Sequence, residues 1–178
     1  MKKYELTDDS ITFMGRKLFR IRALISFNDV KAGDLDGYVE KEENLSHIGN
    51  AWVYDNARVC GDARVCGNAR VYGDAWVYDN AWVYGDAWVC GDARVCGNAR
   101  VYGNTWVYDN ARVCGNARVY DNARVYGDAW VCGDAWVCGD ARVFSEMWQP
   151  NSKIEKLMYE NTPKPNMRFL NMLMGDDE

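Results

Sequence analysis

From position 49 to position 144, apolar and polar residues recur every six positions with no insertion or deletion. The first unit is Gly49-Asn50-Ala51-Trp52-Val53-Tyr54 and the last is Gly139-Asp140-Ala141-Arg142-Val143-Phe144. The third position is Ala, replaced once by Thr105, and the fifth is always Val. Arg or Trp stands between them, and Tyr, Cys or Phe follows. Ala and Val are two apart and face one way, while Arg/Trp and Tyr/Cys face the other, which is the alternation of a β-strand. The leading pair, Gly or Asp then Asp or Asn, is turn chemistry, because Gly and Asn tolerate positive φ and short acids and amides bond nearby backbone. Hairpins would need units that alternate in direction. Identical units, each a strand of about four residues and a two-residue corner, predict a parallel β-helix with a core of Val and Ala.

Read from its Val, the unit is Val, Tyr/Cys, Gly/Asp, Asp/Asn, Ala, Arg/Trp. This resembles the hexapeptide repeat of left-handed β-helix proteins, whose unit is an aliphatic residue, a variable pair, Asn or Asp, a small residue and a variable residue. In that family three units make one triangular coil. The resemblance therefore implies an all-β fold, a left-handed parallel β-helix or triangular β-solenoid, with a little over five coils from the sixteen units. The hand is implied by the resemblance alone, since the general preference for right-handed crossovers does not predict it. The stretch from Asp29 to Ser46 is similar to the entry region of bacterial and prophage proteins with the same repeats, some labelled acetyltransferase and others polymer-forming protein.

Three parts follow. Residues 1–48 are an N-terminal cap and an irregular first coil. Short strands at 3–6, 11–14 and 17–25, with a turn at Gly15-Arg16, form a hairpin-like β cap, and Asn44-Leu45-Ser46-His47-Ile48 reads as a decayed unit. Residues 49–144 are the β-helix. Residues 145–178 are a C-terminal helical cap or oligomerisation segment. Ser152-Lys153-Ile154-Glu155 is a capping box ahead of Leu157 and Met158, Pro163 and Pro165 end that helix, and a second apolar helix spans 166–174. Phe169, Leu170 and Leu173 are candidates for joining subunits. Both prism ends need such caps, because they expose strand edges.

Placing residues 18 apart in one column defines three outer faces. Face one carries Trp52, Arg70, Trp88, Trp106, Arg124 and Arg142 beside Tyr54, Tyr72, Cys90, Tyr108, Tyr126 and Phe144. Face two carries Arg58, Trp76, Arg94, Arg112 and Trp130, and face three Arg64, Trp82, Arg100, Arg118 and Trp136. A guanidinium stacked on an indole one strand away contributes about 0.5–1 kcal/mol, so these columns stiffen and solubilise a prism with a thin core. Trp, Tyr and Arg are also the residues that dominate binding hot spots. Face one has the most aromatics, and Trp52, Tyr54, Arg70, Tyr72, Trp88, Trp106, Tyr108, Arg124 and Tyr126 are its candidate protein-interaction residues.

Composition narrows the chemistry. The 21 basic and 26 acidic residues leave a net charge of −5, with no basic field for phosphates, so nucleic acid is not an expected partner. Base stacking between Trp, Tyr and Arg remains an alternative. No signal-like h-region and no long apolar run occur, so neither secretion nor a membrane is expected, and the chain reads as cytoplasmic. The seven cysteines read as reduced thiols filling repeat positions. The corner Asp residues read as solvated turns, because two-residue corners do not supply the oxygens calcium needs. No cofactor and no metal are expected. Acyltransferases that share the hexapeptide coil place a catalytic His between subunits, beside an extruded loop; these repeats contain no His, no Ser and no such loop. The one histidine, His47, is the alternative's only base. The reading is a non-catalytic solenoid scaffold or protein-binding module that forms a homo-oligomer, with phage origin and docking on a host protein as a further expectation; the alternative is an acyltransferase-like enzyme.

Overall fold

The computed structural model describes residues 1–145; the helices expected at 152–174, with Phe169, Leu170 and Leu173, lie outside the described residues. Strand β1 (Tyr4–Phe13) turns back at Met14-Gly15 into β2 (Arg16–Ala23), and β3 (Leu35–Val39) and β4 (Leu45–Gly49) follow. Sixteen further strands of two to four residues, from Trp52–Val53 to Arg142–Ser145, complete the chain. They assemble into a parallel β-solenoid of three sheets. Face one has six strands, face three has six with β4 at its edge, and face two has eight because β1, β2 and β3 extend it. The solenoid thus has six turns, the irregular β3 and β4 supplying the first turn with the strand at Trp52–Val53.

Register is strict, each outer Arg or Trp over its equivalent and Val over Val, as in Trp82↔Arg100 and Val83↔Val101. Arg58 N–H donates down to the Ala75 carbonyl at 2.9 Å and Cys60 N–H to that of Val77 at 3.0 Å. Inside, the repeat Val and Ala side chains are almost all fully buried. Thr105, also buried, places its hydroxyl on the Tyr102 carbonyl, so the one polar intruder is satisfied.

The corners explain the leading pair. The first position takes φ between +53° and +78°, whether it is Gly or one of Asp55, Asp79, Asp109 and Asp121. Non-Gly residues pay about 1–2 kcal/mol there. All four aspartates stand directly above a Gly, and each carboxylate accepts the N–H of that Gly, as Asp109 does from Gly127 at 3.2 Å. The second position forms side-chain ladders. Asn80 donates to Asn98 at 3.3 Å, Asn98 to Asn116 at 3.0 Å, and Asn116 to Asp134 at 2.9 Å.

Downward donation leaves the top rung with unpaired carbonyls, and the N-terminal segment covers them. Tyr38 and Glu40 N–H groups take the carbonyls of Ala57 and Val59. Buried Asn44 donates to Gly61 and Ala63 at 3.0 and 2.9 Å. Buried Lys3 donates to Gly49 and Ala51 at 3.3 and 2.8 Å. The Tyr4 hydroxyl sits 2.8 and 2.9 Å from the carbonyls of Glu42 and Leu45. The two short strands expected at 3–6 and 11–14 are one strand, interrupted by an irregularity between Leu6 and Ser10.

Two predictions follow from these contacts. Burial pushes the Lys3 ammonium down to about 8 from 10.5. The unfolded chain then holds this proton more tightly, so Lys3 adds stability as pH rises from about 8 to 10.5 and adds no slope below that window. Lys3→Met is expected to cost roughly 2–4 kcal/mol at pH 7 in urea unfolding, since two buried carbonyls lose their donor. The gap between wild type and Lys3→Met should widen across the alkaline window. Asp109→Ala should cost about 1–2 kcal/mol, and Asp109→Gly should stay within about 0.5 kcal/mol of wild type in the same assay.

Candidate functional site

The outer columns carry the functional candidates, and the structure orders them into stacks. Trp76 lies between Arg58 and Arg94 at 5.5 and 4.6 Å, and Trp82 between Arg64 and Arg100 at 5.5 and 5.8 Å. On face one Arg70, Trp88, Trp106 and Arg124 form one continuous stack, its two indoles 4.8 Å apart and within 13° of parallel. Tyr84, Tyr102 and Tyr120 stack on face three at 4.8 and 5.1 Å, and Tyr108, Tyr126 and Phe144 on face one at 5.0 and 5.3 Å. Rings this close use their faces on one another. They leave no gap for an inserted base and present mainly edges to a partner, which weighs against base stacking between successive rungs.

The nine face-one candidates do not form one open surface. Trp52 is fully buried, which corrects the expectation that it points into solvent. Its indole N–H donates to Asp36 Oδ2 at 2.8 Å, and Phe27 and Tyr4 meet its ring edge-on at 5.3 and 6.0 Å. Asp36 also accepts the Asp55 N–H at 3.0 Å, and burial raises its carboxyl above the usual range. Residues 27–36 therefore fold over the first rung. Below them Asp29 accepts the Tyr54 hydroxyl at 3.0 Å and lies 3.5 Å from Arg70. Asp29, Tyr54, Asp55, Arg70, Tyr72 and Trp88 line a shallow groove of about 210 Å³ there. Burial pushes the Tyr54 and Tyr72 phenols well up.

The upper rungs of face two are covered as well, while Trp130 near its lower end is 61% exposed. Phe13 packs edge-on against Trp76 at 4.2 Å and sits 4.9 Å from the Arg58 guanidinium. Leu18, Ile11 and Phe13 form a second apolar cluster with Tyr38, Cys60 and Tyr78. Face three is not covered. Its Arg and Trp side chains stack on one another along the column, and Trp82 and Trp136 are 41% and 51% exposed.

His47 belongs to the cap. Its ring stacks on Tyr4 at 4.4 Å, its Nδ1 accepts the Lys3 N–H at 3.2 Å, and its Nε2 lies 3.8 Å from Glu42. Among the described residues no group of three His, Cys, Asp or Glu converges as a metal-ligand set. The cysteines include a correction. Cys114 and Cys132 are joined by a disulfide rather than filling the column as thiols. Strict register sets their Cα atoms 4.6 Å apart, inside the range a disulfide spans, with both side chains on the same face.

Fold and exterior together define a repeat β-solenoid. Residues 63–78, 75–91, 93–109 and 117–133 match the family described as the YdcK β-solenoid repeat. Over 63 residues the chain is 38% identical to a protein of Escherichia coli (strain K12) named "Uncharacterized acetyltransferase YdcK". The alignment covers 31% of this chain and only 19% of that relative's length.

Covered and open indoles should respond differently to truncation. Trp52→Ala should cost about 3–5 kcal/mol in urea unfolding, as a filled core site does. Trp82→Ala, which removes exposed stacking, should cost about 1 kcal/mol or less.

Proposed function

We propose that this solenoid is a non-catalytic scaffold that binds protein, first of all a second copy of itself, through face three. The observation that carries the reading is the uncovered column of Arg64, Trp82, Arg100, Arg118 and Trp136 beside the flat Tyr84–Tyr102–Tyr120 stack. The N-terminal segment lies over the upper rungs of the other two faces. Face three is basic along its centre and acidic along its edges, where Asp62, Asp86, Asp134 and Asp140 stand at the corners. Two copies related by a two-fold axis and offset by half a face would set the arginines of one against the corner acids of the other. The hexapeptide resemblance supports a left-handed coil for this body.

The name of the E. coli relative raises acyl transfer as a second reading. His47, engaged by Tyr4, Lys3 and Glu42, is a poor general base for it. Sedimentation equilibrium over a wide concentration range should show mass rising with concentration, and the double variant Trp82→Ala/Arg100→Glu should abolish the rise while unfolding close to wild type. A monomer at every concentration overturns self-association. Titration calorimetry with acetyl-CoA should give no binding heat; saturable heat would move the assignment to acyl transfer.

A further inference from the structure

Cys96, Cys114 and Cys132 occupy one outer column of face two in consecutive rungs. The register Val95↔Val113 and Val113↔Val131 stacks them in that order. Cys114 and Cys132 are bonded, and Cys96 is a free thiol on the side of Cys114 opposite Cys132. Among the described residues no other column places three cysteines together. Cys60 stands over Tyr78, Cys66 over Tyr84, Cys90 between Tyr72 and Tyr108, and Cys138 under Tyr120.

We propose that this column is a thiol–disulfide exchange site, at which the cross-link moves one rung up and releases Cys132 as an exposed free thiol. The Cys96 thiolate attacks the Cys114 sulfur, forming the Cys96–Cys114 bond. The Cys114–Cys132 bond breaks, and its electron pair leaves on the Cys132 sulfur, which takes a proton in place of the one Cys96 lost to solvent. One disulfide is consumed and one formed, so no oxidant is required. Attack on a disulfide needs the incoming sulfur on the far side of the central one from the leaving sulfur, which is where strict register holds Cys96. Tyr78 stands directly above Cys96 in the same column. Cys132 is exposed while Cys96 and Cys114 are half-buried, so the move carries the reactive thiol from a half-buried position to an exposed one on the lowest described rung of face two. There it is available to small thiols and disulfides of the glutathione type.

The test is peptide mapping of the full chain after equilibration in a reduced/oxidised glutathione buffer and acid quench. The tryptic peptides around Cys66, Cys96 and Cys114 are all Val-Cys-Gly-Asn-Ala-Arg, so a Cys66→Ser background is used, and the monomer band of a non-reducing gel is excised to exclude links between chains. Two cross-links are expected: the hexapeptide joined to residues 125–142, and the hexapeptide joined to its twin. Cys96→Ser should eliminate the twin product and keep the other. Cys132→Ser should leave the twin product alone, and Cys114→Ser should eliminate it while Cys132 gains a glutathione adduct. Recovery of only the Cys114–Cys132 link in the parent, with no twin product in Cys132→Ser, overturns the proposal, as does the absence of any cross-link in this column. Circular dichroism of each variant should match the parent, since serine replaces a partly exposed side chain.

Discussion

The backbone hydrogen bond from each rung to the rung below governs this molecule. Arg58 N–H reaches the Ala75 carbonyl, and the same step repeats around the whole coil. A ladder made this way leaves every residue lying on its equivalent in the next turn. Val must pack on Val and Ala on Ala, so the interior is uniform and thin. A chain with so little bulk inside gains from whatever its exterior can stack. The guanidinium–indole columns, phenol stacks and corner amide ladders are that gain, each small and all in parallel.

The same bond has a direction, and its direction makes the two ends chemically unlike. Acceptors face the N-terminal end. Lys3, Asn44 and β3 satisfy them there, bringing an ammonium and an amide into an apolar interior because the carbonyls require donors. The segment that carries those donors has to cross the prism, and it covers the upper rungs of two faces as it does so. Capping therefore decides which side of the molecule a partner can reach, and Trp52 is lost from the surface for reasons of hydrogen bonding at the prism's end.

Regular parts of this architecture were legible in the sequence, and the aperiodic parts were not. The spacing of Ala and Val predicted the core, the column rule predicted Arg over Trp, and the turn chemistry placed the corners. Trp52 misled because the hexad marks it as outward-facing, like Trp88 or Trp106, and its cover comes from Phe27 and Asp36, which belong to no repeat. Lys3 reads as an N-terminal surface charge, and its contacts with Gly49 and Ala51 span more than forty residues. The cysteines read as filler thiols because they fall on repeat positions, and nothing in the repeat marks which neighbours bond. Face one was favoured by counting aromatics, a measure blind to what the cap conceals.

The strict stacking of residues eighteen apart has a consequence for how such a gene can change. Repetitive coding sequence gains and loses copies by slippage, and single hexads are the obvious units to slip. Losing one hexad would rotate every later residue onto a different face, so the outer columns of face three would continue on another side of the prism. Losing eighteen residues would keep most columns intact. Copy-number variation in this lineage should therefore survive in whole turns, and the protein should lengthen or shorten in steps of one rung.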